Sequence, residues 1–188
     1  YPTAPTLSAV SISSSNSTST LAKANDVITL TMTASESIKT PVVTFTSGGA
    51  AISDSSVTYT HASGDTWTAA YTVESGDTAG AVGYSIAFDD TSGNSGTAVT
   101  SGSGSASVDV TAPTLASVTA ISTPAANVTP SFVFSSDEAG TITSSITEGF
   151  STSASAVSGN NTITFNSALP AGAVVSIERR TKVTMILI

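Results

Sequence analysis

Apolar and polar residues alternate along much of the chain, with the period of two that β-strands require. Residues 27–35 place Ile28, Leu30, Met32 and Ala34 on one face and threonines on the other. The same pattern recurs at 66–73 and 81–88. Shorter candidate strands are found at 6–13, 42–46, 56–61 and 104–110. Seven strands separated by Ser, Gly, Asn and Asp clusters predict two antiparallel sheets packed face to face.

The chain contains an internal repeat. Ala4-Pro5-Thr6-Leu7 returns as Ala112-Pro113-Thr114-Leu115, and the run 30–36 resembles 132–138 with Glu36 aligned to Glu138. The repeating unit is about 105 residues long, which is the usual length of an immunoglobulin-like sandwich. The sequence therefore predicts an all-β protein of two tandem immunoglobulin-like antiparallel β-sandwiches, with domains at 1–110 and 111–188.

The second unit starts like the first, with strands expected at 114–121, 130–136 and 161–167, but its pattern changes after residue 172. Three of the five basic residues, Arg179, Arg180 and Lys182, fall in the last ten positions. This break indicates either a truncated or out-of-frame end, or a genuine final strand with exposed arginines. In both cases we expect the second sandwich to be incomplete at its C-terminus and to leave a free sheet edge.

Composition excludes several classes of protein. The 188 residues include 35 Ser and 32 Thr, which suit sheets and turns better than helices and rule out an all-helical fold. The absence of Cys excludes disulfides and thiolate metal sites. A net charge of −8 argues against nucleic acid as a partner. No run of 18 apolar residues is present, so we expect no membrane span in this chain.

Several short motifs resemble the bacterial immunoglobulin-like repeats that occur in tandem in large extracellular adhesins and surface proteins. They are the Ala-Pro-Thr-Leu opening, the strand ending in Ala34-Ser35-Glu36, and the segments 76–82, 90–94 and 109–113. The resemblance covers the whole first unit, whereas the second lacks the Asp-x-x-Gly-Asn segment found at 90–94. It implies a secreted, cell-surface array in which each sandwich is a spacer and the binding domain lies elsewhere.

Catalysis has little support in the sequence. His61 is the only histidine, so a Ser-His-Asp triad would have to use it, and it lies on a short strand where Val57, Tyr59 and His61 share a face. The acidic residues fall in turns, whereas a carboxylate pair for glycoside hydrolysis needs two acids in one cleft. We therefore expect a protein that is not an enzyme, with His61 partly exposed at a strand end.

Calcium is the one ligand for which the acidic residues suggest a geometry. In immunoglobulin strand order, Glu74, Asp77 and Asp109 of the first unit would approach Asp137 and Glu138 of the second. Oxygen ligands from two domains and their linker would suit Ca²⁺. A second, incomplete set, Glu36, Asp89 and Asp90, would face a preceding domain. The alternative is that these acids close turns and keep the protein soluble.

Partners are less defined than the fold. Neighbouring repeats in the parent chain are expected, and a cell-surface glycan or protein is the alternative, the protein binding through the free edge of the second unit. Trp67, Tyr71, Tyr84 and Phe88 belong to core-building alternations, so few rings remain for stacking on a sugar; these are Tyr1, Phe45, Tyr59 and Phe150. A third possibility is a phage virion surface protein, because such proteins also display immunoglobulin-like domains.

Overall fold

The computed structural model of the 188-residue chain describes residues 3–121, 129–144, 150–151, 155–166, 175–179 and 183–187. The chain folds into two compact units, 1–111 and 112–188, and each is described by itself. Every regular element of the described residues is a β-strand.

The first unit contains nine strands, of which the longest carry the predicted alternation. They are β1 (Leu7–Ser14), β2 (Leu21–Ala22), β3 (Val27–Ala34), β4 (Val42–Ser47), β5 (Ala50–Ala51), β6 (Thr58–Ser63), β7 (Thr66–Thr72), β8 (Gly80–Ala87) and β9 (Ser107–Val108).

Two sheets form the first unit, with the strand orders β1-β3-β7-β6 and β2-β9-β8-β4-β5. All strand pairs are antiparallel except β2 with β9, which run parallel. This is the strand order of an immunoglobulin-like sandwich, with β2 added beside the last strand. The predicted fold class is therefore confirmed.

The core lies between the two sheets and is built from the predicted inward positions. Ile28, Leu30 and Met32 of β3 are fully buried, and they pack with residues of the opposite sheet such as Val43 and Ile86. The threonines that alternate with them face outward and are half-buried. Period-two burial along β3 therefore fixes which face of the sheet is apolar.

The structure refines the sequence prediction in three places. Phe45 is a core residue and is not available for stacking on a sugar: it is only 3% exposed, because it shares the inward face of β4 with Val43 and lies 4.9 Å from the Tyr71 ring. Trp67 is half-buried at the start of β7 rather than central in the core. The strand expected at 104–110 is reduced to Ser107–Val108.

The β4–β5 hairpin shows the role of one glycine pair. Gly48 and Gly49 have positive φ angles of 56° and 83°, which side-chain-bearing residues rarely adopt. Two positive φ angles in a two-residue turn match the twist of the flanking strands. Gly48 and Gly49 therefore form the turn that joins β4 to β5.

The second unit contains eight described strands. They are β10 (Leu115–Thr119), β11 (Ser131–Ser136), β12 (Gly140–Ser144), β13 (Phe150–Ser151), β14 (Ser155–Ala156), β15 (Gly159–Phe165), β16 (Val175–Arg179) and β17 (Val183–Leu187). Its sheets have the orders β10-β11-β15-β13 and β14-β12-β17-β16, and Phe132, Phe134, Ile163 and Phe165 are buried.

The chain after residue 172 is atypical in its pairing rather than absent from the fold. β16 and β17 form an antiparallel pair, and β17 lies parallel to β12. With β12 and β14 these residues form a four-stranded sheet, and the expectation of a truncated or out-of-frame end stays a prediction. Alternation in Val175-Ser176-Ile177 and the apolar run at 183–187 explain this, because β-branched and apolar residues favour strands. Arg180 and Lys182, like Tyr1, lie outside the described residues.

Equivalent hydrogen bonds confirm the internal repeat. In the first unit, the Thr6 N–H donates to Ser35 Oγ at 3.0 Å and the Ser35 N–H donates to the Thr6 carbonyl at 2.8 Å. In the second, the Thr114 N–H donates to Asp137 Oδ1 at 2.7 Å and the Asp137 N–H donates to the Thr114 carbonyl at 3.3 Å. Asp137 therefore occupies the structural position of Ser35.

Tyr59 and Tyr71 allow a matched test of what a tyrosine hydroxyl contributes to stability with and without a hydrogen-bond partner. The Tyr71 hydroxyl is buried without a hydrogen-bond partner among the described residues, and burial, assisted by the Asp77 carboxylate, raises the pKa of Tyr71. The Tyr59 hydroxyl accepts the Val43 N–H at 2.9 Å. We expect Tyr71→Phe to keep or raise stability, and Tyr59→Phe to lower the unfolding free energy by about 1 kcal/mol, because only the latter leaves a donor unpaired.

Urea unfolding of both variants beside the wild type measures this difference. Equal losses of stability in the two variants would contradict the assignment of an unpaired hydroxyl to Tyr71.

Candidate functional site

The first and last segments of the first unit are joined directly, and we call residues 10–22 and 103–109 the terminal clamp. Besides the ladder of the β2–β9 pair, four backbone hydrogen bonds connect them. They run from Ile12 N–H to the Ser103 carbonyl (3.0 Å), Ser103 N–H to Val10 (2.9 Å), Ser107 N–H to Thr20 (2.9 Å) and Asp109 N–H to Ala22 (2.8 Å). The two segments run parallel, as shown by the Ser11–Ser103 bridge and the β2–β9 pair.

Two glycines permit the close approach of these segments. A Cβ atom at Gly102 would lie 2.5 Å from the Val10 carbonyl oxygen, and one at Gly104 would lie 2.3 Å from that of Ile12. Neither approach is open to a residue with a side chain. The sequence analysis did not predict the clamp, although isolated glycines beside strands signal close backbone contact.

Asp26 closes the turn between β2 and β3. Its Oδ2 accepts the Lys23 N–H at 2.9 Å and Asn16 Nδ2 at 2.7 Å, while Oδ1 lies 3.2 Å from Lys23 Nζ. Burial raises the pKa of Asp26, but the hydrogen bonds from Lys23 and Asn16 outweigh it and hold the pKa below its ordinary value. Because the Lys23 side chain is 53% exposed, the ion pair adds little, and the backbone bond is the structural link.

Asp54 precedes β6 and continues the hydrogen bonding between β6 and β7 beyond the first residue of β6. Its Oδ2 accepts the Thr72 N–H at 2.9 Å, and its Oδ1 accepts the Ser56 N–H at 2.9 Å. The hydrogen bonds from Ser56 and Thr72 lower the pKa of Asp54. A carboxylate thus takes the place of a strand residue opposite the end of β7.

Asp77 and Asp90 close two further loops. Asp77 is buried, and its oxygens accept the Ser53 N–H at 2.7 Å and the Glu74 N–H at 3.0 Å. Asp90 is also buried and accepts Nδ2 and the backbone N–H of Asn94 at 2.6 and 2.8 Å. The Asn94 bonds lower the pKa of Asp90.

The predicted calcium ligands are distributed as follows. The segments carrying Glu36 and Asp90 do meet, since Ile38 pairs with Asp90 in an isolated bridge and the Lys39 N–H donates to the Asp89 carbonyl. Asp109 Oδ1 accepts both the N–H and Oγ1 of Thr111, at 3.1 and 2.6 Å. Within the described ranges, no three His, Cys, Asp or Glu side chains are arranged to hold a metal.

Asp137 and Glu138 belong to the second unit. Asp137 Oδ1 accepts the Thr114 N–H. The Ser136 hydroxyl accepts the Glu138 N–H and donates to the Glu138 carbonyl. Calcium coordination by Glu74, Asp77, Asp109, Asp137 and Glu138 stays a prediction. The hydrogen bonds described give four of the predicted ligands, Asp77, Asp90, Asp109 and Asp137, a loop-closing role.

His61 has a structural environment at the β6–β7 hairpin. Its exposed ring stacks on Trp67 with centroids 4.6 Å apart and planes at 16°, and Nε2 donates to the Gly64 carbonyl at 2.6 Å. The ring therefore covers the half-buried Trp67 and fastens the hairpin turn. The histidine was expected to be partly exposed at a strand end; it is exposed and lies within β6.

The outer face of the β1-β3-β7-β6 sheet is uniformly small and uncharged. Cross-strand rows are Ser11–Thr31–Thr68–Thr60 and Ser13–Thr29–Ala70–Thr58. All charged residues of the first unit lie outside its strands. An open depression of about 310 Å³ on this unit is lined by Val27, Asp54, Ser56, Thr58, Ala70, Tyr71 and Thr72, and the Asp54 carboxylate there is already bonded to backbone.

The part of the chain that the structure describes contains no helix long and apolar enough to cross a membrane.

The loop-closing carboxylates predict acid sensitivity. Asp26, Asp54 and Asp90 have folded-state pKa values below the ordinary 3.8, so their stabilisation is complete above that pH and is lost as the pH falls through the lowered values. We expect the unfolding free energy to drop below about pH 4, and Asp54→Asn to show a smaller drop because Asn cannot be protonated there.

Urea titrations between pH 7 and pH 2 provide the measurement, with Glu36→Gln as a control whose side chain closes no described loop. Identical acid profiles for wild type and Asp54→Asn would refute the role assigned to Asp54.

Comparison with known proteins gives structural matches only. No protein-family model and no curated protein matches the chain. Three similar solved structures are titin domains Z1Z2 in complex with telethonin (15% identity, TM-score 0.34, covering 100% of this chain and 98% of that one), titin domains A168–A170 (14%, 0.35, 98% and 64%) and the tandem Ig repeats of Dlar (11%, 0.31, 97% and 96%). These scores are low, and the strand order described above carries the fold assignment.

Proposed function

We propose that this chain is a non-catalytic spacer: two immunoglobulin-like modules of a secreted, adhesin-type cell-surface protein that transmit tension and present a binding domain located elsewhere in the parent chain. The terminal clamp is the observation that carries this proposal. Its four backbone bonds join the segment by which the chain enters the first unit to the segment by which it leaves.

The geometry of the clamp suits a chain that is pulled from both ends. Because the two joined segments run parallel, tension applied at residues before β1 and after β9 pulls them in opposite directions along their common axis. Hydrogen bonds between them are then strained together rather than one after another. A module built this way resists extension until several bonds break at once.

The surface and loops support the same role. Carboxylates hold the loops at 23–26, 74–77 and 90–94 through backbone N–H groups, which limits the freedom of these loops. The chain carries a net charge of −8, and in the first unit all charged residues lie outside the strands, so the charge favours solubility without charging the strand faces of that unit. Rigid loops and soluble faces are what a spacer in a repeat array requires.

The extracellular setting rests on the resemblance to tandem bacterial immunoglobulin-like repeats. In that setting the immediate partners are the neighbouring repeats of the same polypeptide.

Antibodies raised against this chain should label intact cells that produce the parent protein. Labelling only after the cells are lysed would contradict a cell-surface location.

A mechanical experiment tests the clamp. With the full chain held between handles, unfolding of the 111-residue first unit adds roughly 370 Å of extended length, which identifies its event. We expect Ser103→Pro to lower the unfolding force of this event, because proline removes the N–H that bonds Val10.

Ser101→Pro is the matched control, because Ser101 is exposed in the same loop and takes part in none of the four clamp bonds. Equal unfolding forces for wild type and Ser103→Pro would remove the mechanical role of the clamp.

Calcium remains part of the proposal as a ligand that stiffens the joint between repeats. If it binds, millimolar Ca²⁺ raises the melting temperature, EDTA reverses the rise, and Asp109→Asn reduces it while the Asn side-chain oxygen still accepts the Thr111 bonds. Scanning calorimetry measures this effect. A melting temperature that does not respond to calcium disproves calcium binding and leaves the clamp unaffected.

A further inference from the structure

The strand β6 has an outer edge that no other strand pairs in the described part of the first unit. It is the last strand of the β1-β3-β7-β6 sheet. The opposite edge, β1, is bonded to Ser103 of the terminal clamp. The two long edges of this sheet therefore differ, since one is covered by the protein's own chain and the other is open.

The backbone groups on the open edge can be identified from neighbouring bonds. The Thr72 N–H donates to Asp54 on the β6 side of β7, whereas the next N–H, that of Val73, donates to Asp26 on the β3 side. Even-numbered residues of β7 thus bond β6, and they lie opposite Thr58 and Thr60. Because strand residues alternate, the N–H and C=O groups of Tyr59 and His61 point outward.

This edge lacks the usual protection against pairing. Natural proteins block exposed edges with lysine, proline or inward-pointing charges, and Thr58–Ser63 contains none of these. Thr58, Thr60, His61, Ala62 and Ser63 are all exposed. The single irregularity is the shift in register between His61 and Ser63, after the residues that would pair.

We propose that β6 is a homotypic interface, in which β6 of a second copy of this chain pairs antiparallel with β6 about a two-fold axis at Thr60. In this register Tyr59 of each copy lies opposite His61 of the other, and each pair exchanges two backbone hydrogen bonds. Thr60 faces Thr60 of the second copy in the closer, non-hydrogen-bonded pairing. Two four-stranded sheets then become one sheet of eight strands.

A second copy fits this edge because the edge is complementary to itself. Thr60 beside Thr60 and Tyr59 beside His61 are the hydroxyl and aromatic cross-strand contacts that stabilise antiparallel pairs. The row Ser11–Thr31–Thr68–Thr60 continues across the axis into the same row of the second copy. Asp54 and Asp65 flank the strand and approach each other between copies, so association strengthens as salt screens them.

Single-cysteine variants test the register directly, because the chain has no cysteine of its own. Facing non-hydrogen-bonded residues have Cα atoms about 4.5 Å apart, within disulfide range. Thr60→Cys should therefore oxidise rapidly to a disulfide-linked dimer. Thr58→Cys is the matched control, because the two copies of residue 58 would lie roughly 13 Å apart along the strands.

Proline at an outward-pointing residue tests the hydrogen bonds. His61→Pro removes an N–H that does not bond β7, so the sheet within each copy stays intact. We expect sedimentation equilibrium to show wild-type dimers that strengthen with salt, and a dissociation constant at least about tenfold weaker for His61→Pro. His61→Ala is the control, because it also loses the Trp67 contact but keeps the N–H.

Wild-type protein that stays monomeric at its solubility limit would overturn the proposal. Oxidation of Thr60→Cys no faster than that of Thr58→Cys would overturn it as well, and so would equal weakening by His61→Pro and His61→Ala. The spacer function does not depend on these outcomes, since the clamp is formed by β1, β2, β9 and Ser103 and does not include β6.

Discussion

Backbone N–H groups need partners where a strand ladder stops, and the arrangement of the first unit follows from how they find them. At the ends of β7 and in the loops, aspartate carboxylates accept these groups, as Asp54 does for Thr72 and Asp77 for Ser53. Along β1, the returning segment at Ser103 supplies the partner. Along β6, the groups of Tyr59 and His61 face outward. One requirement thus accounts for the loop carboxylates, the terminal clamp and the open edge.

The same requirement explains why hydroxyl residues lie on the strand faces of the first unit and acidic residues lie in its loops. Threonine suits the pleated outer face, because its branched side chain packs across strands and carries no charge. In the first unit the acids are placed in loops, where they can reach several N–H groups and still contact water. In a chain with only 10% charged residues, the same few side chains therefore close loops and favour solubility. As a consequence, the strands of the first unit have no charges with which to protect an edge.

Sequence periodicity predicted the parts of the fold that depend on local pattern. The alternation at 27–35 correctly identified the buried face of β3, and the repeat predicted the equivalence of Thr6 and Thr114 that the hydrogen bonds show. Short pairs such as β2 with β9 could not be predicted, because they depend on residues more than 80 positions apart. For the same reason Asp77 was interpreted as a metal ligand. The N–H group that it accepts belongs to Ser53, which is 24 residues away, so the hydrogen bond cannot be predicted from the residues around Asp77.

The clamp and the open edge are compatible because they involve different strands: the clamp joins β1 to Ser103 and β2 to β9, whereas the open edge is β6, at the other end of the sheet from β1. In the proposed spacer, tension that enters through β1 and β2 and leaves through β9 would pass across the clamp bonds and would not cross the outer edge of β6. Pairing at β6 would therefore link neighbouring molecules side by side without adding bonds to the path that the tension takes. If both proposals hold, pairing at β6 would join one molecule to the next while the clamp bonds alone carry the tension within the first unit.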